Sequence, residues 1–126
     1  MRILIVDDSS MMRALIKRVI TLTELPDAEV LEASNGAEAL RILEAQTVNL
    51  LLTDVNMPGM SGVELLREIA RQDRWPKLVR VIISTDGSPS RRGEAADLDV
   101  RCYLEKPFSP EVLRHVLSEA AESVHS

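Results

Sequence analysis

Aromatic side chains are nearly missing from this chain. Trp75, Tyr103 and Phe108 are the only three in 126 residues. A core for a domain of this length must therefore be built from Leu, Ile, Val and Ala. Cysteine is almost as scarce. Cys102 stands alone, which rules out an internal disulfide and suits a reducing compartment. No apolar stretch approaches the roughly 20 residues needed to span a bilayer. The opening MRILIVDD runs straight into a strand-like segment, without the layout of a signal peptide. The expectation is a cytoplasmic protein with no membrane attachment. Nor is any run of Lys and Arg long enough to make a nucleic-acid surface, and the net charge is −5. What is present is ordinary for a globular chain: 45% hydrophobic and 28% charged residues. The length suffices for one domain over 1–126 and is too short for two.

Four apolar runs stand out: ILIV (3–6), NLLLT (49–53), VRVIIS (79–84) and the weaker CYLE (102–105). They are continuous rather than alternating, as in strands buried on both faces of a parallel sheet. EVLEA (29–33) is a fifth, more polar candidate. Between these runs the period turns helical. Met12, Leu15, Ile16, Val19 and Ile20 share one helix face. Ala37, Leu40 and Leu43 repeat the pattern after SNG, as do Val63, Leu66, Ile69 and Ala70 after GMSG. Val112, Leu113, Val116, Leu117 and Ala120 do so near the end, behind Ser109 as N-cap and Pro110 at the first helical position. The segment 87–100 contains Pro89 and Gly93 and has only Leu98 and Val100 as strong apolar residues. It predicts a short or mobile fourth helix, starting no earlier than about Ser90. Five strand–helix repeats imply an α/β fold, a five-stranded parallel sheet with helices on both faces.

In such sheets ligands bind at the carboxyl ends of the strands. Asp7 and Asp8 follow the first strand, and Asp54 follows the third. Ser84, Thr85 and Asp86 close the fourth, and Lys106 and Pro107 follow the fifth. Three clustered acids repel one another unless a cation neutralises them. Oxygen-only ligands suit a hard divalent ion such as Mg²⁺. Lys106 adds a compact positive charge and Ser84 a hydroxyl donor. Together they would receive a phosphoryl group. Asp54, a lone carboxylate ending an apolar run just before a Pro58-Gly59 turn, then reads as a nucleophile able to form an acyl phosphate.

The pieces LIVDDSSMMR (4–13), DVNMPGMSG (54–62), IIST (82–85) and YLEKPF (103–108), in this order, make the chain resemble the receiver domain of bacterial two-component response regulators. The resemblance is closest to the single-domain, CheY-like chemotaxis type and covers essentially the whole chain. It implies a flavodoxin-like (βα)5 fold with strand order 2-1-3-4-5. It implies that Asp54 accepts a phosphoryl group from the phosphohistidine of a sensor histidine kinase or phosphotransfer domain. It also implies that Asp8, Asp54 and the backbone carbonyl of Asn56 bind Mg²⁺ directly, with Asp7 helping through water. Lys106 would pair with the phosphoryl oxygens. Ser84 would hold the switch hydroxyl and Tyr103 the aromatic position that reports on it. The Lys106–Pro107 bond would be cis. The module would be a switch rather than an enzyme. It would bind a downstream protein effector through the fourth helix, fifth strand and fifth helix, as a monomer or a weak phosphorylation-dependent dimer.

The chain departs from that pattern at Thr85, where a smaller residue is usual and where it is expected to narrow the phosphoryl pocket. Asn56 and Asp86 stand two residues after the phosphorylated Asp and the switch residue. There Asp86 is expected to orient an attacking water, giving a short-lived phosphoryl group. Met11 falls off the first helix's apolar face, either as a contact for the phosphodonor domain or by chance. Arg91, Arg92, Arg101 and Arg114 read as a solvated face or a partner surface. Cys102 reads as a small packed residue. His115 and His125 have no partner at metal-ligand spacing. Two alternatives compete. The chain could be a receiver cut from a larger regulator with an output domain. It could instead be a Mg²⁺-dependent phosphatase, but Asp7-Asp8-Ser9 lacks the D-x-D spacing of haloacid dehalogenases. A nucleotide-binding module would need a G-x-G-x-x-G or P-loop after the first strand, and neither is present.

Overall fold

The computed structural model describes residues 1–23, 25 and 28–125. Ser126, the last residue of the domain expected over 1–126, and the His125 side chain lie outside that description. Strands and helices alternate: β1 (Arg2–Val6), α1 (Ser10–Leu22), β2 (Glu29–Ala33), α2 (Gly36–Ala45), β3 (Leu50–Thr53), α3 (Gly62–Gln72), β4 (Val79–Ser84), α4 (Pro89–Ala96), β5 (Val100–Glu105) and α5 (Pro110–His125). The five strands form one sheet in the order β2-β1-β3-β4-β5, and every neighbouring pair is parallel.

The sheet divides the core in two because successive strand residues point to opposite faces. Ile3, Ile5, Leu50, Leu52, Val81 and Ile83 pack with Ile16, Val19 and Ile20 of α1 and Leu113, Val116 and Leu117 of α5. Leu4, Val6, Leu51 and Ile82 face Ala39 and Leu43 of α2, Leu65, Leu66 and Ile69 of α3, and Ala95 of α4. This two-sided burial is why the central strands are continuously apolar. β2 and β5 lie at the edges, and their mixed composition follows from that. β5 begins at Val100, two residues before the apolar run, with a register irregularity opposite Arg80/Val81.

Four residues assigned to helical stripes prove to be exposed. Leu15 (45%) and Val112 (47%) lie roughly a quarter turn from the centres of their stripes, by the 100° step of a helix. Ala37 and Ala70 are likewise exposed, while Ala39 and Leu65 take buried places.

α4 is short, as the poor pattern predicts, but it begins at Pro89, one residue earlier than expected. Proline has no N–H to satisfy and suits the first helical turn, and the Ser88 hydroxyl accepts from Arg91 N at 3.3 Å. Ala95 and, just beyond the helix, Leu98 anchor it to the core. Ser109 caps α5 as expected, its Oγ accepting from Val112 N at 3.2 Å. Among the described residues no helix is long and apolar enough to cross a membrane.

Candidate functional site

The residues at the carboxyl edge are held by backbone bonds that carry the sheet ladder one residue past the strands. Asp7 N–H donates to Ala33 O (3.1 Å), Asp54 N–H to Val6 O (2.9 Å) and Lys106 N–H to Ser84 O (2.8 Å). Each side chain of the site thus inherits the rigidity of two strands. The loop after β3 then turns away through Gly59, whose φ of 76° is the left-handed region that glycine tolerates. It returns to α3 at Gly62, where a Cβ would stand 1.9 Å from the Asp54 carbonyl oxygen. Only a residue without a side chain fits there. Ser61 caps α3 in a reciprocal capping box with Glu64, fixing where the loop ends.

Asp7, Asp54 and Ser84 are buried, and Asp8 is exposed at the mouth. Carboxylate oxygens of Asp7, Asp8 and Asp54 all lie within 4.8 Å of one another. The Lys106 ammonium sits 2.8 Å from Asp7 Oδ2 and 3.6 Å from Asp54 Oδ2. Asp7 Oδ1 accepts from Ser9 N at 2.9 Å, and Asp54 Oδ1 from Val55 N at 2.7 Å. Burial pushes the Asp54 carboxyl above its ordinary range. The neighbouring charge of Asp7 adds to that push, and Lys106, Val55 N–H and Ser84 oppose it. Three hard oxygen donors of one sign, closely set and only part-neutralised by one lysine, form a group able to coordinate a metal ion.

The switch positions gather beside this cluster. Ser84 Oγ accepts from Asp86 N at 3.1 Å, and the Tyr103 hydroxyl donates to the Asp86 carbonyl oxygen. The Lys106–Pro107 bond is cis. Thr85, expected to narrow the pocket, is exposed. It lies one residue past the end of β4, where neither helical layer covers it. The Asp86 carboxyl is held below its ordinary range by hydrogen bonds from Ser88, with help from the charge of Arg91.

Three arginines contribute more than their place in the sequence suggests. Arg13 donates from Nη1 to the Asp7 carbonyl (2.6 Å) and from Nε to Glu32 (3.1 Å). Arg91 reaches both Asn56 and Asp86. Arg92 lies over the Tyr103 ring at 4.5 Å and pairs with Glu105 at 2.9 Å. Arg91 and Arg92 were expected on a solvated or partner-facing surface; no local sequence signal marks these links, which join residues 5 to 35 positions apart. Arg101 and Arg114 are exposed, as is Met11 (80%).

Known proteins resemble this chain in sequence and in fold. The family model described as the response regulator receiver domain matches residues 3–118. A chemotaxis protein CheY homolog of Campylobacter jejuni is 38% identical over 120 residues, covering 94% of this chain and 91% of that protein. Chemotaxis protein CheY1 of Helicobacter pylori is 39% identical over 118 residues, covering 93% and 94% respectively. The crystal structure of a CheY-like response regulator receiver domain protein from Methanospirillum hungatei superposes with a TM-score of 0.86 at 27% identity, covering 98% of this chain and 95% of that one. With a family model over most of its length and relatives above 30% identity covered almost end to end, the chain belongs to the response regulator receiver domain family, of the CheY-like kind, and is a phosphorylation-dependent signalling switch rather than a free-standing enzyme.

Proposed function

We propose that residues 1–126 form one receiver domain in which Asp54 is the phosphoacceptor. The observation that carries this is the placement of Lys106 between Asp7 and Asp54, with Asp8 alongside, where four strand ends meet. Asp54 Oδ2, the oxygen nearer Lys106, attacks the phosphorus of a phosphohistidine. The phosphorus–nitrogen bond breaks and its electron pair stays on the imidazole of the donor. Asp54 Oδ1 is already taken by Val55 N–H, which leaves Oδ2 to react. Lys106 then exchanges part of its contact with Asp54 for a phosphoryl oxygen, as the carboxylate charge it paired with moves outward.

Asp8, Asp54 and the backbone of Asn56 would hold a Mg²⁺ ion, with Asp7 behind them, and the oxygen-only donor set fits that ion. Bound there, Mg²⁺ supplies charge neutralisation for the phosphoryl oxygens during transfer. Ser84 and Tyr103 meet at Asp86, so a phosphoryl oxygen that draws the Ser84 hydroxyl also bears on the strand that carries Tyr103. The partners are a histidine kinase or phosphotransfer domain as donor and a protein effector at the α4–β5–α5 face.

Intact-mass measurement after incubation with acetyl phosphate and Mg²⁺ tests the reading. One phosphoryl adduct is expected on the wild type, none on Asp54→Asn and none when the metal is chelated. An adduct that persists on Asp54→Asn would overturn it.

A further inference from the structure

Arg91 leaves α4 and reaches back to the edge of the site. Its Nη2 donates to Asn56 Oδ1 at 3.3 Å, and its Nε pairs with Asp86 Oδ2 at 3.4 Å. Its Nη1 donates to Glu94 Oε2 at 3.2 Å, an oxygen that Arg67 of α3 also approaches at 3.8 Å. Asn56 lies two residues after Asp54, and Asp86 two after Ser84. One guanidinium therefore ties the loop after β3 to the loop after β4, on either side of Asp54. The other Asp86 oxygen is taken by Ser88 N–H at 3.2 Å. Both oxygens of that carboxylate are thus turned toward the start of α4.

We propose that Arg91 is a positioning residue that restrains Asn56 and Asp86 and thereby slows hydrolysis of the phosphoryl group on Asp54. The inference rests on Asp54 being the phosphoacceptor. Hydrolysis forms a bond from a water oxygen to phosphorus and breaks the bond from phosphorus to the Asp54 oxygen. The electron pair of the broken bond returns to the Asp54 carboxylate, and both water hydrogens leave with the phosphate as dihydrogen phosphate. The water must be held in line during this step. Among the side-chain acceptors of the two loops are the Asp86 carboxylate and the Asn56 amide oxygen. Arg91 engages both. An acceptor already bound to a cation is less free to swing toward the water and weaker when it gets there. A guanidinium can do this because its donors lie in a fixed planar fork, whereas an ammonium acts as a point charge. Part-exposed ion pairs of this kind add little stability, so their removal should show in a rate rather than in unfolding.

The test uses the full chain as wild type, Arg91→Ala, Arg91→Lys, Asp86→Ala and the Arg91→Ala/Asp86→Ala double variant. Each is phosphorylated with acetyl phosphate and Mg²⁺ and freed of donor, and the decay of the adduct is followed by intact mass. Arg91→Ala is expected to lose its phosphoryl group roughly 3–10-fold faster than the wild type, with Arg91→Lys in between. In the Asp86→Ala background the Arg91→Ala change should have a smaller effect, because only its route through Asn56 is left. Decay of Arg91→Ala equal to or slower than the wild type overturns the proposal. So does an acceleration undiminished in the double variant, since general loosening of the loops does not need Asp86. Should circular dichroism show Arg91→Ala unfolded, Arg91→Lys carries the same comparison. A wild type that takes no adduct overturns the Asp54 reading and this inference with it. An adduct with unchanged decay overturns this inference alone.

Discussion

Asp54 is a buried acid that faces a second buried acid, and Lys106 offsets only part of the cost. Its raised pKa has a definite sign in stability. Below the ordinary carboxylate range, folded and unfolded chains both hold the proton and nothing is lost. As pH rises through the raised folded value, the unfolded chain ionises more readily, and stability falls and stays lower at neutral pH. Asp54→Asn removes the charge while keeping the shape. In metal-free buffer at pH 7 the variant should melt higher than the wild type by roughly 2–5 °C, and the gap should close as pH falls toward 4. Added Mg²⁺ should raise the wild-type melting temperature and narrow the gap, because the ion binds only the folded cluster. Differential scanning calorimetry at several pH values, with and without Mg²⁺, reads both effects. A wild type more stable than Asp54→Asn at pH 7 without metal would contradict the account. Among single residues, Asp7, Asp8, Asp54, Ser84 and Lys106 stood out in the sequence because each directly follows or ends an apolar run. Arg13 and Arg91 did not stand out, because an arginine on a helix looks the same whether it meets water or a distant acceptor.

Two helices carry the predictions at the scale of elements. α3 starts where the loop of the phosphoacceptor comes back against it, and Gly62 makes that contact. Gly62→Ala would force a methyl into the Asp54 carbonyl, so backbone must move. The expected cost is about 2–3 kcal/mol in urea unfolding, accompanied by slower adduct formation because Asp54 moves with its carbonyl. α4 is the opposite case. Gly93 sits in that helix with nothing near an added Cβ, at an ordinary backbone angle. Gly93→Ala should therefore stabilise the chain by about 0.5–1 kcal/mol, seen as a higher urea midpoint with an unchanged slope. The weakness of α4 was readable from Pro89 and Gly93 alone. Its start at Pro89 was not, because whether a proline opens a helix or precedes it depends on Ser88 reaching Arg91 N.

For the molecule as a whole, the sheet is a shared wall between two aliphatic cores. Neither core is complete without it, so the two should melt together. Trp75 packs against the α2–α3–α4 side only, and its fluorescence reports that side, while circular dichroism reports every helix. Leu117 is fully buried in the other core. Leu117→Ala should cost about 2–5 kcal/mol, and the urea midpoint should fall equally by both signals. A fluorescence midpoint left at the wild-type value would mean that the two sides unfold separately.

The sequence by itself determined the parallel α/β plan, the cap of α5 and the order of the chemical groups along the sheet edge. Continuous apolar runs, a 3.6-residue period and Ser or Pro at helix starts are local physical requirements, readable one segment at a time. Only the tertiary structure decided which stripe residues reach the core, as Leu15 and Val112 show, since that depends on how far each helix overlaps the sheet. It also decided that Gly62 touches the Asp54 backbone and that Arg91 spans Asn56 and Asp86. Those contacts join residues from different segments, and their partners are settled by the docking of whole elements, which periodicity along one element does not record.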